Sequence, residues 1–101
     1  MSVILTRWVI KDRATGKYLP PGMGFNGRGS THQEVCDPEA YLPKFFLEKK
    51  TAERCLQAWL RGIYEGDGGG EEGRYWSRIT KMPNRIPENM EIVEATIILN
   101  P

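Results

Sequence analysis

The chain has 101 residues, 40% of them hydrophobic, with three Trp and a net charge of +1. That length makes one domain, and a near-neutral balance supplies no whole-molecule field for nucleic acid or an anionic membrane. No apolar run approaches the roughly 18 residues that a membrane span needs, and the N-terminus reads as a strand, not as a signal peptide.

Val3 to Ile10 alternates as a β-strand, with Ile4, Trp8 and Ile10 on one face and Val3, Leu5, Arg7 and Val9 on the other. Asp12 to Gly16 punctuates, and Lys17-Tyr18-Leu19 resumes an extended path up to Pro20-Pro21. A β-hairpin is expected, with Gly16 taking the positive φ of its turn. Residues 20–43 are rich in Gly and Pro and read as loop, with a short strand expected over Ser30–Val35.

Residues 45–65, FFLEKKTAERCLQAWLRGIYE, carry the strongest pattern in the chain. Ala52, Cys55, Leu56, Trp59, Leu60 and Ile63 fall at the spacings of one helical stripe. Thr51 is the expected N-cap, with Glu53 in the positive first turn. Gly62, Gly66 and the GDGGG run are candidate stops. Lys50, Glu53, Arg54, Gln57 and Arg61 form the opposite, solvated face.

Glu65 to Glu72 reads as a Gly-rich acidic loop, and Arg74 to Thr80 alternates as a strand. Met90 to Leu99 alternates most clearly, and its β-branched density suits a central or near-central strand. The order of strands, one helix, then strands gives an α+β domain over residues 1–101. A single helix packs on a mostly antiparallel sheet of four to six strands. Apolar residues on both faces of the first and last strands imply that the second face is partly covered or meets a partner.

The segments WVIKDRATGKYLP, FFLEKKTAERCLQAWLRG and MEIVEATIIL together have a layout similar to small uncharacterised proteins of tailed bacteriophages and prophages. The matching features are turn glycines, a helix stripe and a closing strand, so no catalytic residue carries over. The resemblance implies an accessory protein acting in the cytoplasm of a bacterial host, and some proteins of that kind and size inhibit host defence.

Candidate chemistry is sparse. His32 is the single His, and Cys36 and Asp37 lie close behind it. Nothing nearby supplies the held base and oxyanion donors that a cysteine nucleophile needs. No second ligand cluster has zinc-type spacing, so neither metal nor cofactor is expected. Cys55 on the apolar stripe reads as a small buried hydrophobe, and a disulfide is not expected.

Three binding readings follow. The favoured one is non-catalytic inhibition of a host defence or regulatory protein, with Arg54, Arg61 and exposed Trp and Tyr as anchors. The second is sequestration of a nucleotide-like anion by the Gly24–Thr31 loop, through converging amides, Asn26 and Arg28. The third holds a single-stranded nucleic acid on Arg74, Trp76 and Arg78, with Lys81 and Arg85 following. The acidic run before Arg74 weighs against that last reading. The partner's identity and the oligomeric state are not written in the sequence.

Overall fold

The computed structural model describes residues 2–22, 31–67 and 76–100. The fold is α+β, as the element order requires: one helix rests on a mostly antiparallel sheet. β1 (Val3–Asp12) turns through Asp12–Gly16 into the short β2 (Lys17–Tyr18). Helix α1 (Lys49–Arg61) is followed by β3 (Ile63–Asp67), β4 (Trp76–Thr80) and β5 (Met90–Leu99). The strands divide into a three-stranded sheet of order β2-β1-β5 and a separate β3–β4 pair.

The first hairpin forms where the sequence places it. Gly16 has φ 73°, and the Asp12 carboxylate accepts from the Ala14 N–H at 2.9 Å and the Thr15 hydroxyl at 3.1 Å. β1 and β5 then pair without interruption from Val3↔Leu99 to Asp12↔Met90.

Several expectations are corrected. The helix begins at Lys49, two residues before Thr51, and Glu48 occupies the N-cap position without a side-chain cap. Glu53 consequently lies beyond the first turn, which holds no acidic residue. At the other end the stripe stops at Leu60, because Gly62 at φ 127° redirects the chain and puts Ile63 in β3. Glu65 to Asp67 do not belong to the expected acidic loop, since their backbone pairs with β4. Residues 31–35 form no strand, and Cys36 makes only an isolated bridge to Tyr18.

β5 lies at the edge of its sheet and β1 at the centre. The β-branched density of β5 reflects two half-apolar faces and not a central position.

The core gathers Ile10, Leu19, Phe46, Ala52, Leu56, Trp59 and Met90, flanked by Trp8, Val35, Cys55, Leu60 and Ile92. It sits under α1 at one end of the β1–β5 ribbon. A ten-residue strand runs about 33 Å, whereas a thirteen-residue helix spans about 20 Å. The helix therefore cannot cover the whole ribbon. Ile10 is fully buried, but Ile4 on the same face is 68% exposed, and Ile98 opposite it 59%.

Candidate binding surface

The extended segment before α1 is positioned by β1. Trp8 and Phe46 exchange backbone hydrogen bonds of 2.8 Å, and the Lys44 N–H reaches the Leu19 carbonyl at 3.0 Å. Strand alternation then drives Phe46 into the core and turns Phe45 and Leu47 outward. With Tyr41 and Leu42, 60% and 69% exposed, they give the 41–47 segment a run of exposed apolar side chains. Cations border it: Lys44 lies over the Phe46 ring at 5.2 Å and Lys49 over Trp8 at 5.4 Å. Tyr41 also lines a cavity of about 290 Å³ with Pro20, Pro21, Gln33, Glu34 and Cys36.

A second concavity, about 710 Å³, runs between α1 and β5. Leu56 and Ile92 line it together with Lys50, Glu53, Arg54, Gln57 and Arg61. The fold thus brings Arg54 and Arg61 to one groove, as residues seven apart on a helix face must be.

Asn26, Arg28 and Arg74 lie outside the described residues, as does most of the Gly24–Thr31 loop. Thr31 itself is buried, its hydroxyl accepting the Tyr64 N–H at 3.0 Å. Trp76 places its backbone in β4, and Arg78 is exposed on that strand opposite Glu65 in the register.

Arg85 corrects the nucleic-acid reading. It is 5% exposed and donates to the Glu34 carboxylate at 2.8 and 3.1 Å and to the Trp59 carbonyl at 2.9 Å. A guanidinium committed to these partners is withdrawn from any phosphate-facing row. Nothing in the sequence around Arg85 marks it for burial, because its partners are 26 and 51 positions away.

His32 is exposed in a turn, and no strand over 31–35 aligns it with Cys36. The Asp37 carboxylate accepts the Glu39 N–H at 3.1 Å, a local turn contact. Cys36 and Cys55 are both free thiols. Burial pushes the Cys55 thiol above its ordinary value, and the Lys44 ammonium offsets part of that rise.

Among the described residues no cluster of three or more His, Cys, Asp or Glu gathers. No described helix is long and apolar enough to cross a membrane. No family model, curated protein or solved structure matches the chain.

Proposed function

We propose that this chain acts by non-catalytic binding, occupying the surface of another protein. The observation that supports this reading is the run of exposed Tyr41, Leu42, Phe45 and Leu47, tied to β1 by the Trp8–Phe46 bridge and bordered by Lys44 and Lys49. Clustered exposed apolar side chains rimmed by charge mark interaction sites, and Tyr is among the residues that dominate binding energy. The phage-type layout supplies the context: the partner is a bacterial protein of defence or regulation, and occupancy of its surface inhibits it.

The test is capture from a bacterial lysate on the immobilised full chain and on a Tyr41→Ser/Leu42→Ser variant. Both side chains are exposed, so the variant keeps its fold. A protein retained by the native chain and lost by the variant is the expected result. Equal capture by both would reject this surface. Recovery of a nucleotide instead, lost in Arg28→Ala, would replace this reading with sequestration.

A further inference from the structure

The two edges of the β1–β5 ribbon are not equivalent. Trp8 turns both its backbone groups toward Phe46, and the Ile10 carbonyl accepts from the Leu19 N–H. Even-numbered residues of β1 therefore point away from β5, and odd-numbered ones bond across to it. On β5 the same alternation sends the N–H and C=O of Ile92, Glu94, Thr96 and Ile98 to the outer edge. The exposed end of β1 is partly blocked, since the Arg7 guanidinium occupies the Thr6 carbonyl at 2.8 Å. Among the described residues nothing pairs with the outer edge of β5, which runs without Pro or bulge. Long edges of this kind are templates for another strand.

We propose that the occupant is a second copy of this chain, its β5 pairing antiparallel about a twofold axis at Ala95. The sequence is self-complementary at that register and not at its neighbours. Ile92 faces the partner copy's residue 98, an Ile, and Val93 faces residue 97, also an Ile. Glu94 faces Thr96 of the other copy, and Ala95 meets itself. All the outward backbone groups are used, in about eight hydrogen bonds. A twofold centred on Glu94 would oppose two carboxylates, which is unfavourable. One centred on Thr96 leaves Ile92 beyond the end of the partner strand. Glu91 is drawn aside by Arg13 at 3.9 Å.

The third dimension agrees. Side chains directly opposite in an antiparallel pair share a face, so Ile98 of one copy lies beside Ile92 of the other, on the side that carries α1. That is the mouth of the groove floored by Leu56 and Ile92. The part of the ribbon that α1 is too short to cover is thereby covered by the groove of the other copy, and reciprocally. The net charge of +1 opposes association little.

Sedimentation equilibrium of the full chain, at up to about 100 μM so that even a weak dimer is populated, is expected to give twice the chain's 11.5 kDa. Thr96 is exposed, so substituting it leaves the fold intact. Thr96→Glu sets a carboxylate against Glu94 twice per dimer and should weaken it about tenfold, whereas Thr96→Lys should tighten it. Ala95 sits at a non-hydrogen-bonded position of the new pair, with Cα atoms about 4.5 Å apart, within disulfide reach. With Cys36→Ser and Cys55→Ala as background, Ala95→Cys should oxidise to a covalent dimer and Val93→Cys should not. A monomer throughout, a dimer indifferent to residue 96, or cross-linking at 93 in preference to 95 would overturn the proposal.

Discussion

Arg85 lies over the Trp59 ring, its guanidinium carbon 4.3 Å from the centroid, while Nη1 donates to the Trp59 carbonyl at 2.9 Å. The same carbonyl accepts the Gly62 N–H at 3.2 Å. Arg85 therefore supplies charge and a donor where the last carbonyls of α1 lack partners, and it shields the largest side chain of the core. The Trp59 indole N–H is bound to the Gln33 carbonyl at 2.5 Å, and Arg85 Nη2 reaches that carbonyl at 3.4 Å. Residues 33–34, the helix end and residue 85 are thus closed into one cluster.

Removing Arg85 strips the buried Trp59 carbonyl and the half-buried Gln33 carbonyl of a donor and exposes one face of Trp59. Arg85→Ala should cost about 2–4 kcal/mol, the scale of a broken buried network. Glu34→Ala should cost less, about 1–2 kcal/mol, because the Arg85 guanidinium keeps its carbonyl partners. Arg85→Lys should not restore stability, since one ammonium cannot span the same fork of acceptors. Urea titrations of the three variants check the order, and an Arg85→Ala chain as stable as the native one would remove Arg85 from the core.

Gly62 is needed for space as well as for φ. A Cβ there would sit 2.1 Å from the Thr80 carbonyl oxygen and 2.7 Å from its carbon. Gly16, at φ 73°, has nothing within 4 Å of the same atom. Gly62→Ala should therefore destabilise by about 3 kcal/mol or more, strain and clash together, and Gly16→Ala by about 1 kcal/mol. Equal losses in chemical denaturation would show that β4 does not pack on Gly62.

Cys55 gives a pH signature of known sign. Its thiol is raised above the ordinary 9.0 by burial, with Lys44 acting the other way. The neutral thiol is thus favoured in the folded chain. That contribution is complete below pH 9.0 and is lost as the pH climbs toward the raised folded value, because the unfolded thiol ionises first. The stability difference between the native chain and Cys55→Ala should shift against the native chain as the pH rises from 8 through 9.0 toward the raised folded value. Alkylation at pH 8 should also be slower than in urea. A difference constant across that range would mean that the thiol is solvated in the folded state.

The amino-acid sequence by itself determined the parts of the fold that rest on short-range periodicity. The stripe from Ala52 to Leu60 can bury itself only as a helix, and the alternation in Val3–Ile10 and Met90–Leu99 only as strands. Gly16 was legible for the same local reason. The extent of each element was not. Ile63 continues the helical spacing but belongs to β3, because the Gly62 turn and pairing with Thr80 outweigh one more apolar position on the stripe. Thr51 has the chemistry of an N-cap, yet Lys49 and Lys50 are already helical before it.

Of the candidate surface, Arg54 and Arg61 were readable as helix-face neighbours. Only tertiary structure decided that they flank a groove floored by Leu56 and Ile92. Tertiary structure also decided that Arg85 is buried while Ile4 is open to water. A long-range partner sets each outcome: Glu34 and Trp59 satisfy a charge that water would otherwise hold, and α1 ends before it can reach Ile4. Local pattern shows which faces are apolar. Which of them is covered depends on the relative lengths of elements far apart in the chain.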